Sequence, residues 1–270
     1  MTDPGGMLKY SRACEHLNSI VDLVETWSRN TTYETVSEPD PESSGLIHCQ
    51  RYVAKIRGPE LPELADVLGD CLHNFRSALD HTVWFASTFP AGDLPDKANV
   101  VGFPVALTET LYNEKGLQGV TPSVRAFVET LQPYHSGDDA RSHPLWVLSE
   151  LDRIDKHREV HTVHFAAVAS EIGIVSLQPG SWFEAGESGP VEDGTVLARV
   201  YTPVSVIKNE VAVNLKFSHG VAIMETETTP QLPLLATLAD IRNAVRSACY
   251  GMVNALTTDF GLHPDDPSGA

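Results

Sequence analysis

Gly69-Asp70-Cys71-Leu72-His73-Asn74-Phe75-Arg76-Ser77-Ala78-Leu79-Asp80-His81-Thr82-Val83-Trp84 is the stretch on which the fold turns. Leu61, Leu64, Leu68, Leu72, Phe75, Leu79 and Val83 recur at three- and four-residue intervals, the spacing of one apolar stripe along a helix. Pro62 suits the first turn of that helix, where a missing N–H costs nothing. After Gly69, neither Gly nor Pro interrupts the pattern before Pro90. At about 100° per residue, His73, Arg76 and Asp80 share the flank beside the stripe. Asn74 and His81 share another flank, with Ser77 between them. Two imidazoles, a guanidinium and a carboxylate on one core helix make this the candidate site.

A second helix is expected over 144–164, with Ser142 as N-cap and Pro144 in the first turn. Val147, Leu148, Leu151 and Ile154 form its apolar face, and Asp155 and Arg158 continue that face. Charges on a core-facing stripe are costly unless they are neutralised. The first helix offers Arg76 and Asp80 as partners. The two helices are therefore expected to pack, with Asp155 or Arg158 in ion-pair reach of Arg76 or Asp80. His73, Arg76, Asp80 and His157 should then border a common pocket lined by Trp84 or Trp146.

Outward from this pair, residues 8–28 carry a helical pattern, while 31–36 and 46–56 read as the strands of a hairpin around the Glu38–Gly45 turn. Residues 88–103 read as a loop, and Pro122 opens a short helix to Leu131. From Phe165 to Glu227 the period becomes two, with strands at 172–177, 195–201, 211–217 and 221–225. From Leu234 to Leu256 it is helical again. Helices and antiparallel strands in separate blocks define an α+β class. The expected fold is a central helix pair with N- and C-terminal helices, an N-terminal β-hairpin and an antiparallel sheet from the second half. One domain is expected over 1–260, followed by a flexible tail over 261–270.

The formal charge of −17 disfavours a non-specific nucleic-acid binder, which normally presents a basic surface, but leaves room for a small basic pocket. Cys14, Cys49, Cys71 and Cys249 form no CxxC pair, so neither a zinc ribbon nor a redox motif is indicated. No apolar leader opens the chain, and no run reaches the ~18 apolar residues of a membrane helix. A reduced, cytoplasmic protein without a membrane partner is the expectation.

The motif Gly69-Asp70-x-Leu72-His73-Asn74-x-Arg76-Ser77-Ala78-Leu79-Asp80-His81, followed by Ile154-Asp155-Lys156-His157-Arg158, resembles an uncharacterised bacterial family. Gln132-Pro133-Tyr134 and Pro144-Leu145-Trp146 fit the same pattern, so the resemblance spans roughly 45–165. It implies a site and no assigned activity. Arg76-Ser77-Ala78-Leu79-Asp80-His81 also resembles the Arg-x(4–6)-His motif of the HEPN ribonucleases.

The leading functional expectation is accordingly a metal-independent, HEPN-like endoribonuclease without a cofactor. His81 would be the base on a ribose 2′-hydroxyl, and Arg76 would stabilise the phosphate. These two residues lie about 140° apart around one helix, so a shared phosphate requires a homodimer. Against this stands a binding module, in which His73, Asn74, Asp80, Asp155, Lys156, His157 and Arg158 hold a small anionic ligand or a partner chain, or serve as a buried structural network. A divalent-metal site on His157 and His161, or on His73 and Asp80, is the third alternative. Nucleophilic catalysis has no G-x-S-x-G motif behind it.

Overall fold

The structure, a computed structural model, describes residues 4–59, 61, 63–90, 102–115, 117, 119–156, 162–163, 168–174, 180–186, 191, 193–206, 213–218, 221–223 and 232–261. It is an α+β fold. In chain order it runs through α1 (Pro4–Asn30), β1 (Thr32–Pro39), β2 (Ile47–Arg57), α2 (Glu63–Thr88), α3 (Glu109–Lys115) and α4 (Pro122–Thr130). There follow 3-10 turns over Pro133–Ser142, then α5 (Pro144–Asp155), β3 (Thr162–Val163), β4 (Val168–Ile174), β5 (Trp182–Ala185) and β6 (Val196–Pro203). β7 (Val213–Ser218), β8 (Ala222–Ile223), β9 (Leu232–Pro233) and α6 (Leu234–Asp259) complete it. The chain, read from sequence as one domain, divides into two compact units interleaved in sequence. No described helix is long and apolar enough to cross a membrane.

The first unit gathers Met1–Val21, Glu63–His161 and Met224–Ala270. Its axis is α2, which buries Leu64, Leu68, Leu72, Phe75, Leu79 and Val83, the stripe that the sequence spacing marks. α2 packs on α5 and α6, and α6 also receives α4. On the side facing α1, the Tyr10 ring lies 5.9 Å from that of Phe75. Cys71 there donates to the Ala13 carbonyl, and burial pushes its thiol up to about 12. It is a packed thiol.

The second helix is shorter than its apolar pattern suggests. α5 ends at Asp155, where Lys156 returns its N–H to the Asp152 and Ile154 carbonyls. No Gly or Pro announces this stop. Thr162 and Val163 pair as a strand with Ile223 and Ala222, so the expected helix over 144–164 is corrected at its C-terminal end. Its N-cap is also one residue later than expected: His143, rather than Ser142, accepts from the Leu145 N–H. The tail beyond residue 261 lies outside the described residues.

The second unit gathers Asp22–Pro62 and Thr162–Ile223. β1 and β2 form the expected antiparallel hairpin, and a four-stranded sheet continues in the order β1-β2-β6-β5. The hairpin and the second half of the chain thus share one sheet, because β2 pairs with β6 in a register that sets Cys49 opposite Tyr201 and Arg51 opposite Arg199. β4 pairs separately with β7. Trp27, at the end of α1, is buried and donates to the Pro59 carbonyl at 2.9 Å. Gly186 closes β5 with its N–H on the Leu197 carbonyl, so near to β6 that a Cβ would collide with the Val196 carbonyl oxygen. Gly186→Ala should therefore lower the stability of the sheet by about 1–3 kcal/mol, the usual scale for overpacking, read as a lower melting temperature.

Candidate functional site

Where α2 and α5 cross, acidic and basic side chains meet along one seam. Asp152 is only 4% exposed, deep enough that its carboxylate requires partners. Both oxygens have one. Lys156 Nζ donates to Oδ2 at 2.6 Å, and His73 Nδ1 lies 3.4 Å from Oδ1. A carboxylate can only accept there, so the neutral imidazole carries its proton on Nδ1 and leaves Nε2 as an acceptor. One turn along α2, the Ser77 hydroxyl lies 3.5 Å from that nitrogen. The His73 side chain is 53% exposed, so a substrate can reach it. Serine, histidine and aspartate therefore stand in line across two helices. The two imidazole separations are at the long end of hydrogen bonding, as catalytic contacts often are before substrate binds.

At Gly69 the Asp155 side chain of α5 reaches the α2 backbone. A Cβ there would strike the Asp155 carboxylate, which lies against the α2 backbone. Burial, then the neighbouring Asp152 and Asp70, push the Asp155 carboxyl above the usual carboxylate range, while His73 and Lys156 pull it down. Asp155 at Gly69 and Asp152 at His73 make the two helices antiparallel. Arg76 lies seven residues beyond Gly69, about 10 Å further along the axis. The expected contact of Asp155 with Arg76 or Asp80 is thereby corrected.

Arg76 and Asp80 instead serve each other. The Arg76 guanidinium donates to Asp80 at 2.9 Å and to the Phe103 carbonyl at 2.6 Å, while Asp80 accepts the Phe103 N–H at 2.8 Å. Together they clamp the segment after residue 101 onto α2. The Arg76 side chain is 17% exposed, so its fork is committed to this clamp. His81 is exposed on the far side of Ser77. Asn74 bonds back to the Asp70 carbonyl. His73 and Asp80, proposed together as metal ligands, have different partners, Asp152 and Arg76. His157 and Arg158 lie outside the described residues, as does His161. Trp84 is exposed on the outer face of α2, and Trp146 sits in the first turn of α5.

Comparison with protein-family models, with curated proteins and with solved structures finds no match. Sequence reasoning picked out His73 but missed Ser77 and Asp152. Ser77 and His73 are four apart, a legible signal, because i and i+4 side chains are neighbours on a helix. Asp152 comes from a different helix, and no spacing links it to either.

A second polar cluster belongs to the other unit. Asp40, at the hairpin turn, is buried and accepts from the Glu42 N–H at 2.9 Å and from Arg199 Nε at 3.0 Å. These bonds hold its carboxyl below the usual range. Tyr201 donates towards Glu42 at 2.7 Å and lies 3.1 Å from Glu184, with the Trp182 ring stacked on it at 4.9 Å. Among the described residues, Asp40, Glu42 and Cys49 alone bring three ligand atoms of metal-binding type within 4.8 Å of one another. Both Asp40 oxygens are already occupied, and burial, helped by Asp40, raises the Cys49 thiol. The cluster pins the hairpin turn to β6.

Two outcomes follow for the α2 face. Arg76→Met should cost on the order of 2 kcal/mol in chemical denaturation, because it strips a charged donor from Asp80 and from the Phe103 carbonyl. Asp155→Asn should act oppositely. A carboxyl whose folded pKa is raised favours folding at pH below its unfolded value, about 3.9, and loses that contribution as pH rises through the folded value. The variant should melt higher than the parent at pH 7 and converge with it near pH 3.5. Equal melting curves at both pH values would contradict the raised carboxyl.

Proposed function

We propose that the α2–α5 seam is a metal-independent acid–base site of a hydrolase, with His73 as general base. The carrying observation is the imidazole fixed at Nδ1 by the buried Asp152, with Nε2 turned to a hydroxyl on an accessible helix face. Asp152 orients the ring and stabilises the imidazolium that forms when Nε2 takes a proton. Lys156 holds the other carboxylate oxygen, which fixes the rotation of Asp152 about its own side chain. Asp70, Asp152 and Asp155 give the surroundings a negative bias, in a chain of net charge −17. A neutral or cationic ester suits that field better than a polyanion.

This reading differs from the ribonuclease expectation in its base and in its substrate. Arg76 is spent on Asp80 and Phe103, which leaves RNA cleavage without its phosphate partner on the same helix. The deciding assay sets the purified protein, in EDTA, against a panel of neutral and cationic p-nitrophenyl esters and against single-stranded RNA. Ester hydrolysis should fall about 10²–10⁴-fold in His73→Ala and by a comparable factor in Asp152→Asn, while His81→Ala keeps the parent rate. RNA cleavage lost in His81→Ala and Arg76→Ala would instead restore the ribonuclease. Ester hydrolysis that His73→Ala leaves untouched would end the general-base proposal.

A further inference from the structure

We infer that Ser77 is a nucleophile, and that the chain passes through a covalent acyl-serine intermediate. This rests on the reading of His73 as general base and adds which oxygen attacks. Ser77 has its Oγ on the acceptor nitrogen of His73, which in turn has its donor on Asp152. The alignment crosses from the middle of α2 to the last turns of α5, and each member has a separate reason for its place. Ser77 and His73 are helical neighbours four residues apart, and the antiparallel seam brings Asp152 to His73. Ser77 also lies at the centre of the outer face of α2, opposite the buried stripe of Leu68, Leu72, Phe75 and Leu79. An acyl group can approach it from solvent.

The step balances as follows. Ser77 Oγ bonds to the ester carbonyl carbon as its proton passes to His73 Nε2. The tetrahedral adduct collapses with cleavage of the bond to the alcohol oxygen, and the alcohol leaves with the proton from Nε2. Water, deprotonated by the same nitrogen, then attacks the acyl carbon, releases the carboxylic acid and returns the proton to Ser77. The N–H groups of α2 around Ser77 are committed to helical hydrogen bonds, so the main chain there offers no oxyanion hole. Loss of one such donor typically slows turnover by about 10²–10³-fold. Covalent capture is therefore a better readout than turnover.

The test treats the full chain with a biotinylated fluorophosphonate. Phosphonylation joins Ser77 Oγ to phosphorus and expels fluoride, and the hydroxyl proton passes through His73 to solvent. Peptide mass spectrometry should place one adduct on Ser77. The adduct should be absent in Ser77→Ala and form at least about 10²-fold more slowly in His73→Ala. Circular dichroism of both variants verifies that they fold, and Ser77→Cys should recover acylation by the ester substrate. Labelling of Ser77 at an unchanged rate in His73→Ala would overturn the inference, as would no adduct on Ser77. If Ser77→Ala keeps a His73-dependent ester hydrolysis, water is the nucleophile: the inference then fails while the general base stands. If His73→Ala hydrolyses esters like the parent, the underlying reading fails instead.

Discussion

Asp152 carries its carboxylate into the seam between α2 and α5, where water can no longer solvate it. An ion in that position must be met by charge or by hydrogen bonds, or it shifts its proton equilibrium. Lys156 meets one oxygen from the end of its own helix, and His73 meets the other from α2. The need to satisfy one carboxylate thus fixes the orientation of an imidazole. The ring in turn decides which nitrogen is left for chemistry. Asp155, three residues on, has no such pair of partners among the described residues. It sits against Gly69 of α2, and its carboxyl holds its proton more tightly.

The same logic of buried charge shapes the rest of the α2 face. Arg76 and Asp80 bond to each other and to both main-chain groups of Phe103, so that a loop end is tied to the helix without apolar contact alone. In the other unit, Asp40 is satisfied by a turn N–H and by Arg199, a bond that spans 159 residues of chain. In each place a carboxylate joins distant segments because it accepts two donors in different directions. What separates the seam from the two clamps is exposure: His73 keeps one face open, while Arg76 and Asp40 are enclosed by their partners.

Residue periodicity, read without coordinates, established the elements that depend only on nearest neighbours along the chain. The stripe from Leu64 to Val83 requires a helix with one buried side, and the alternation around Glu38–Gly45 requires a hairpin. Both are present, and with them the α+β class. The end of α5 was not legible, since no Gly or Pro marks it and the pairing of Thr162 and Val163 with β8 joins residues far apart in the chain. Nor was the joining of the hairpin to β6, a contact between residues roughly 150 positions apart.

The candidate site divides in the same way. That His73, Arg76 and Asp80 share one flank of a core helix follows from the helical angle alone. Which acid of α5 would meet them does not, because an angle says nothing of the axial offset between two helices. In the tertiary structure that offset brings the Asp155 carboxylate to Gly69. Three residues earlier on an antiparallel helix, Asp152 then falls opposite His73, and Arg76 lies about 10 Å further along α2 than Gly69. Sequence determined the residue types on each face; the axial offset between two helices distant in the chain decided which of them touch.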